Sequence, residues 1–561
     1  MYHIPPFAIL LYLSLAVVFP HHGQASENTQ SPTQKPNVLI ILADDMGYSD
    51  LGSYGSEIQS PNLDRLASNG LRFTQFYNTA RCWPTRAALL TGYYAQQVRR
   101  DTLPNLPSGN ATGVRPKWAP LLPALLKPNG YRTYHSGKWH IDGKPLTEGF
   151  DHSYRLEDAG RFFSPKVHFE DDQPLPAVPR DSGYYSTTEI ATRMIKYLKD
   201  HATNHSDEPF FAYTAFLSPH FPLQALQSDI NKYKEKYKTG WDLARITRHN
   251  RQKSLGFNHQ PLPEIERNIG APYPFPKAME LIGPGEVPYP KPWSELTDIQ
   301  KEFQSTKMAI HAAMVDRMDQ EIGRILDQLR AMNALDNTMI VFLSDNGASA
   351  ELMIRDDGHN PQAAPGSADT HLCLGPGWSA VANTPFRRHK TWVHEGGIAT
   401  SMIVHWPSGI SSKGQMRHSP GHVVDLVPTI LDITGVARPN TITDQPIPPF
   451  AGVSLKNAIT DHQEIRRDSL WWLHEGNKAI RQENWKLVSA KGEPWQLYDL
   501  SKDRGETQDL SKSDHTRYQK MQEAWELQYQ LIRDLAARDL PASKTNSTVK
   551  KKNSAKSKSE D

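Results

Sequence analysis

Three short apolar segments, each followed at once by polar residues, constrain the fold of this 561-residue chain more than any other feature. Residues 37–42, 210–216 and 339–343 are almost uniformly apolar instead of alternating between apolar and polar. Such segments are typical of strands that are buried on both faces of a largely parallel sheet. Because open α/β sheets bind ligands beyond the carboxyl ends of their strands, we expect the functional residues in the polar segments that follow.

Helical and antiparallel patterns complete the predicted fold. Apolar residues recur at three- and four-residue steps over 314–329, which predicts an amphipathic helix. Residues 60–67 predict another helix, with Ser60 or Asn62 as its N-terminal cap. Residues 485–488 and 495–500 read as two strands of a small antiparallel sheet. The sequence therefore predicts an α/β fold with a large mixed, mostly parallel sheet sandwiched by helices, and a smaller C-terminal α+β subdomain built on an antiparallel sheet.

The two ends of the chain differ in composition from its middle. Residues 7–19 form a short apolar core and small residues follow at 23–25, so we expect a signal peptide over 1–25 and a periplasmic or secreted protein. No Lys or Arg occurs in residues 1–6, and a buried N-terminal helix is the alternative. Residues 541–561 are rich in Lys, Ser and Asn, which predicts a disordered tail.

Charge and cysteine content exclude several classes of protein. The formal net charge is +2, which gives no indication of a nucleic-acid partner. No apolar run reaches the ~18–20 residues of a membrane span. Cys82 and Cys373 are the two cysteines, too few for a disulfide framework.

A cysteine and an arginine stand together where a helix is predicted to begin. Pro84 suits the first turn of a helix, and the Ala-Ala-Leu-Leu run after Arg86 continues it. Cys82 therefore lies near a helix N-terminus, where free N–H groups and the helix dipole favour an anion. A potential nucleophile beside a fixed cation indicates a catalytic site; a buried structural cysteine is the alternative.

Oxygen-bearing side chains follow two of the predicted strands. Asp44 and Asp45 come after the first apolar segment, and Asp345 and Asn346 come after the 339–343 segment. Hard cations such as Ca²⁺ or Mg²⁺ take oxygen ligands, and no Cys or His cluster favours zinc. An isolated Asp-Asp pair can simply cap a helix or turn, but two such strand ends together favour a metal site.

These motifs resemble the type I, formylglycine-dependent sulfatases of the alkaline phosphatase superfamily, whose signature is Cys-x-Pro-Ser/Thr-Arg. In that family the cysteine is oxidised to formylglycine (3-oxoalanine), and the acidic set holds one calcium ion. The resemblance implies that a formylglycine-generating or sulfatase-maturing enzyme converts residue 82. It also implies a Ca²⁺ site made by Asp44, Asp45, Cys82, Asp345 and Asn346.

Three further segments resemble family motifs. They are Gly137-Lys138-Trp139-His140, Ser218-Pro219-His220, and the stretch over 383–397 that contains Lys390. Lys138 and His140 are two apart on a segment predicted to be extended, so they should point the same way. The resemblance implies that Arg86, Lys138 and Lys390 hold sulfate oxygens, that His140 orients or deprotonates a hydroxyl of the converted side chain, and that His220 protonates the leaving oxygen together with Lys390. The implied catalytic set is Cys82, Arg86, Lys138, His140, His220 and Lys390.

The likeness continues beyond these motifs and implies the domain organisation and the activity. It implies a catalytic domain over 36–410 and a C-terminal subdomain over 411–540 with one helix at 517–536. The implied activity is hydrolysis of a sulfate monoester, on an aryl compound or a sulfated carbohydrate, by a formylglycine gem-diol. Two alternatives stay open: a phosphonate monoester or phosphodiester hydrolase with the same site, and a non-hydrolysing binder of sulfated glycans if Cys82 stays a thiol.

A segment over 222–296 is rich in Pro, Lys, Arg and Tyr and shows little periodicity, which predicts a surface insertion able to reach over the site. Its aromatic and arginine side chains either shape substrate choice or belong to a merely structural lid. The residues in question are Tyr233, Tyr237, Trp241, Arg245 and Arg248.

Overall fold

The computed structural model describes Met1 and residues 35–540 with gaps at 105, 107–112, 258–259, 274, 356 and 443–444. Apart from Met1, the predicted signal peptide and the predicted tail at 541–561 lie outside these residues. None of the helices in the described residues is long and apolar enough to cross a membrane.

A large mixed sheet forms the centre of residues 36–540. Its strands are β1 (Asn37–Ala43), β2 (Leu71–Tyr77), β3 (Arg132–Lys138), β4 (His152–Leu156), β5 (His168–Glu170), β6 (Gln173–Pro174), β7 (Phe210–Ala215), β8 (Thr338–Ser344), β9 (Ala399–His405), β10 (Gln415–Arg417) and β11 (Gly421–His422). The order is β10-β2-β9-β8-β1-β7-β3-β4-β5-β6, and β11 pairs with β2. Strands β8, β1, β7, β3 and β4 run parallel to one another. The pairs β2–β9, β8–β9, β4–β5 and β5–β6 are antiparallel.

Both faces of this sheet are buried, as the continuous apolar segments predict. In β1, Leu39 and Ile41 belong to one core cluster, and Val38, Ile40 and Leu42 belong to another. Successive side chains of a strand point to opposite faces, so a strand with a core on each side must be apolar at every position.

Helices cover the two faces and supply the rest of both cores. They are α1 (Pro61–Ser68), α2 (Cys82–Thr91), α3 (Leu122–Leu126), α4 (Ser186–Asn204), α5 (Gln227–Asn231), α6 (Gly240–Ser254), α7 (Pro276–Ile282), α8 (Asp298–Ala331), α9 (Gly375–Ala382), α10 (Glu395–Ile398), α11 (Leu426–Thr434), α12 (Lys456–Thr460) and α13 (His515–Ala537). The apolar stripe predicted over 314–329 lies in α8, which begins 16 residues earlier at a capping box on Thr297.

A smaller antiparallel sheet follows the large one along the chain. It comprises β14 (Leu470–His474), β15 (Asn477–Gln482), β16 (Trp485–Ser489) and β17 (Gln496–Asp499), after a two-stranded ribbon of β12 (Thr441–Ile442) and β13 (Gln445–Pro446). Helix α13 packs on β15 and β16. The predicted fold class is thereby confirmed. Strands β10 and β11 lie after residue 410 but pair with β2, so the large sheet extends beyond the boundary expected from the sequence.

Candidate active site

Four neighbouring parallel strands end at one edge of the large sheet and carry the predicted site residues there. Asp44 follows β1, Asp345 follows β8, Lys138 ends β3, and His220 lies in the loop after β7. The register pairs Ala43 with Ser344, so the two acidic segments begin side by side. Parallel pairing therefore gathers residues that are up to three hundred positions apart in the sequence.

Two backbone features shape this edge. Asp45 has a φ of 64°, in the left-handed region, so its carboxylate does not follow the alternation of an extended strand. Gly137 has a φ of 120°, and a Cβ there would lie 1.9 Å from the carbonyl oxygen of Ala215 on β7. A glycine is therefore required one residue before Lys138.

Cys82 is the first residue of α2, at the helix N-terminus that the sequence predicts. The preceding turn is held by Thr85, whose hydroxyl accepts a hydrogen bond from the Thr79 backbone N–H at 3.0 Å. This contact requires a side-chain hydroxyl at position 85.

Acidic and amide oxygens converge beside Cys82. Ligand atoms of Asp44, Asp45, Cys82 and His220 all lie within 4.8 Å of one another, and all four residues are buried. The Nδ2 atom of Asn346 donates to Asp45 Oδ1 at 2.6 Å. The Oδ1 atom of Asp345 accepts a hydrogen bond from the backbone N–H of Asp45, at a distance of 3.4 Å.

The donor set at this cluster fits a hard cation. Asp44 Oδ1 and Asn346 Oδ1 are buried and have no hydrogen-bond partner among the described residues. Buried oxygens without partners are rare, and a metal ion is one way to satisfy them. Three carboxylates and one amide oxygen match the preference of calcium for oxygen ligands.

Basic side chains surround the same cluster. Lys138 forms an ion pair with Asp44, and Lys390 Nζ lies 2.8 Å from Asp45 Oδ1. His220 Nε2 lies 3.6 Å from Asp45 Oδ2. The predicted lysines and the second histidine are therefore in place beside the acidic residues.

These charges change the acidity of the site. Burial alone would raise the pKa of Asp44, but Lys138, His220 and Arg86 hold it far below its ordinary range. Burial and the neighbouring Asp44 raise the pKa of Asp345. Burial lowers the pKa of His220 to about 4, with Lys390 acting in the same direction. Burial also raises the pKa of the Cys82 thiol.

A cavity of about 600 Å³ opens onto this edge of the sheet. Five of the six predicted catalytic residues line it: Cys82, Lys138, His140, His220 and Lys390. His140 is exposed at the cavity, has a φ of 55°, and therefore lies just after the extended part of β3 instead of within it.

Arg86 has a different position from the other predicted residues. Its side chain is fully buried, and it is not among the residues that line the cavity. Its Nε and Nη2 atoms donate to Asp345, and Nη1 donates to the Lys138 carbonyl at 2.9 Å. The structure thus places Arg86 beneath the acidic cluster, where it contacts Asp345 and the β3 end instead of the open cavity.

Sequence reasoning missed Glu351, which connects two of the cations. This buried carboxylate lies 3.3 Å from Lys390 Nζ and 3.0 Å from Arg81 Nη1. It follows β8 by seven residues, in a loop without a regular pattern. The one feature of the sequence that could have indicated Glu351 is its position, since it is a charged residue shortly after the Ser-Asp-Asn-Gly segment.

The insertion over 222–296 packs against the body of the protein instead of lining this cavity. Five of its side chains are buried, with exposed fractions of 5% or less: those of Tyr233, Tyr237, Trp241, Arg245 and Arg248. Tyr237 donates to Glu57, and Arg248 pairs with Asp50 and Glu57. The expectation that these side chains shape substrate choice is therefore wrong, and the structural alternative is the one that the contacts support.

A family model for sulfatases matches residues 36–436. The chain belongs to the sulfatase family. A second model, described as the C-terminal region of N-sulphoglucosamine sulphohydrolase, matches residues 387–535. The protein is accordingly a sulfuric ester hydrolase, as the sequence motifs predict.

Relatives and solved structures agree with this assignment. The sulfatase is 32% identical to an uncharacterized sulfatase of Schizosaccharomyces pombe over 86% of this chain and 92% of the relative. It is 30% identical to an arylsulfatase of Klebsiella aerogenes over 78% of this chain and 95% of that protein. The crystal structure of Ps i-CgsB with k-i-k-neocarrahexaose shares the fold, with a TM-score of 0.62, 23% identity and coverage of 88% and 93%.

Proposed function

We propose that this sulfatase cleaves sulfate monoesters of aryl compounds or carbohydrates through a formylglycine made from Cys82, with one calcium ion at the acidic cluster. The observation that carries the proposal is the convergence of ligand atoms of Cys82, Asp44 and Asp45 within 4.8 Å of one another, beside a cavity that Cys82 and two lysines line. A hydrated formylglycine at position 82 would supply a hydroxyl nucleophile, and a calcium ion would supply positive charge to the site. Asp44, Asp45, Asp345 and Asn346 would hold the ion, next to residue 82.

The lysines and histidines of the cavity have separate roles in this proposal. Lys138 and Lys390 offset the negative charge that grows on the sulfate oxygens in the transition state. His140 orients or deprotonates a hydroxyl of the converted side chain. His220 and Lys390, which share the Asp45 carboxylate, deliver a proton to the leaving oxygen, and the charge of Asp45 favours the protonated form of His220 against the effect of burial. Arg86 is a positioning residue that acts through Asp345.

The remaining parts of the proposal concern maturation and location. A formylglycine-generating or sulfatase-maturing enzyme would oxidise Cys82. Residues 1–25 would direct the chain to the periplasm or out of the cell. Residues 36–410 and 411–540 would form the catalytic domain and the C-terminal subdomain, with β10 and β11 of the latter joined to the large sheet.

The proposal is tested by mass spectrometry and kinetics on the full chain coexpressed with a maturing enzyme. The peptide that spans residues 81–86 should have lost the Cys82 sulfur, and the protein should turn over 4-nitrophenyl sulfate faster than a 4-nitrophenyl phosphonate monoester. Cys82→Ala should be inactive and keep the unfolding temperature of the parent. An active Cys82→Ala protein would refute the mechanism, and a preference for the phosphonate would favour phosphonate hydrolysis instead.

A further inference from the structure

Arg355 is a cation of the active-site cavity that has no role in the proposed sulfate chemistry. Arg355 lies in the loop after β8, lines the cavity with Cys82 and Lys390, and is exposed. Among the described residues, no carboxylate lies within ion-pair distance of its guanidinium group. Its charge is therefore available to a ligand in the cavity.

The other charged residues of the cavity wall are paired. Arg81 is bound to Glu351 at 3.0 Å, and Arg100 Nε lies 3.6 Å from Asp142 Oδ1. The two carboxylates of the lining are also engaged, because Asp142 contacts Arg115 at 3.0 Å and Glu157 pairs with Arg155. Among the described residues that line the cavity, Arg355 is thus a cation whose charge no carboxylate offsets.

Phe221 holds this charge close to the reacting groups. The Arg355 guanidinium carbon lies 5.3 Å from the centroid of the Phe221 ring, and Lys390 Nζ lies 5.5 Å from the same centroid. The His220 ring packs on Phe221 with centroids 4.1 Å apart. Arg355 and Lys390 therefore lie at one aromatic ring, and cation–π contact favours the guanidinium over that ring.

We propose that Arg355 binds a second anionic group of the substrate, so that this sulfatase prefers esters with a carboxylate or a further sulfate near the scissile sulfate. The inference rests on the proposed function and extends it to the substrate class. One sulfate is accounted for by Lys138 and Lys390, and the Arg355 guanidinium, which has no ion-pair partner among the described residues, accounts for a second negative charge. Arginine suits this task because its planar donors match a carboxylate or a sulfate group.

The test compares three esters: 4-nitrophenyl sulfate, and the same compound with either a carboxylate or a sulfonate group next to the sulfate. The parent enzyme should prefer one or both of the doubly charged esters. Arg355→Gln should reduce that preference about tenfold or more in kcat/KM, mainly through KM, because a charged hydrogen bond to the bound substrate is lost. Arg355→Lys, which keeps the charge, should retain part of the preference.

Arg251→Gln is the matched control, since Arg251 is exposed on α6 and does not line the cavity. It should leave the preference unchanged, and unfolding temperatures should show that all variants are folded. Equal losses on all three esters in Arg355→Gln, or an unchanged preference, would overturn the inference while leaving sulfate hydrolysis intact. A parent enzyme that cleaves none of the sulfate esters would instead overturn the proposed function and this inference with it. The carboxylate and sulfonate arms also show which anion is favoured.

Discussion

The guanidinium of Arg86 donates two hydrogen bonds to a single oxygen of Asp345, from Nε at 3.0 Å and from Nη2 at 2.7 Å. Both side chains are fully buried. The Nη2 atom also lies 3.5 Å from Asp44 Oδ2, so one arginine contacts two proposed calcium ligands from different strands. Arg86 therefore fixes the spacing of the acidic residues, and its importance to the reaction would be indirect.

Replacing Arg86 should damage stability and metal binding together. Arg86→Gln leaves the buried Asp345 carboxylate without its ion-pair partner and removes one of the cations near Asp44. Breaking a buried ion pair of this kind costs ~3–5 kcal/mol. We expect a lower unfolding temperature and a smaller rise of that temperature on addition of Ca²⁺. Arg99→Gln, which breaks the 2.9 Å pair with Asp539 away from the cluster, should keep the calcium response. A normal calcium response in Arg86→Gln would contradict the positioning role.

His220 should matter most when the leaving group is poor. Loss of a general acid costs ~10²–10⁴ in rate when the leaving oxygen needs a proton, and less for a nitrophenol. We expect His220→Ala to lose far more activity on an alkyl or sugar sulfate than on 4-nitrophenyl sulfate. His371→Ala is a suitable control, because His371 is buried near Phe221 but does not line the cavity. Equal losses on both substrates would assign His220 to substrate or metal binding instead.

Glu351 should support catalysis through Lys390. Burial alone would raise the pKa of Glu351, but Lys390 and Arg81 lower it well below its ordinary range, so the carboxylate is charged. Glu351→Gln keeps the shape and removes the charge that orients both cations. Partners that orient active-site groups in this way typically contribute ~10–100-fold, and we expect a loss of that size in kcat/KM for 4-nitrophenyl sulfate.

The matched control for this carboxylate is Glu266→Gln. Glu266 bridges Arg387 and Arg388, and it does not line the cavity. Full activity in Glu351→Gln would mean that Asp45 alone is sufficient to hold Lys390.

The predictable part of this molecule is the part that strand patterns determine. Asp44 and Asp345 were expected at one edge because both follow buried parallel strands, and the register of β1 and β8 agrees. Contacts from distant elements were not predictable. Ser60 occupies the N-cap position of α1, as the sequence predicts, but its side chain makes no capping hydrogen bond. Asp319 of α8 instead accepts from the backbone N–H groups of Asn62 and Leu63.

The environment of an arginine is equally hard to predict, because an arginine can contact either a bound anion or a carboxylate of the protein. Arg86 and Arg248 were both expected to meet ligands, because arginine commonly binds anions. Each is instead fully buried against carboxylates of the protein, and the carboxylate that accepts its hydrogen bonds in each case, Asp345 or Asp50, lies about 200 or more positions away in the sequence. The sequence around either arginine does not show whether its partner is a carboxylate of the protein or a bound sulfate.

The buried pair between Arg248 and Asp50 should make stability depend on acid pH. Burial alone would raise the pKa of Asp50, but His311 and Arg248 lower it to about 2, from an ordinary value of 3.8. A lowered pKa stabilises the fold fully above about pH 4, and this contribution is lost as the pH falls towards 2.

Asp50→Asn should therefore lower the free energy of unfolding by at least about 2 kcal/mol at pH 6, with a smaller difference at pH 3. Urea unfolding at the two pH values measures this, and Asp327→Asn on the exposed face of α8 is the control. A deficit of equal size at both pH values would show that Asp50 stabilises the fold by packing and hydrogen bonding instead of by its charge.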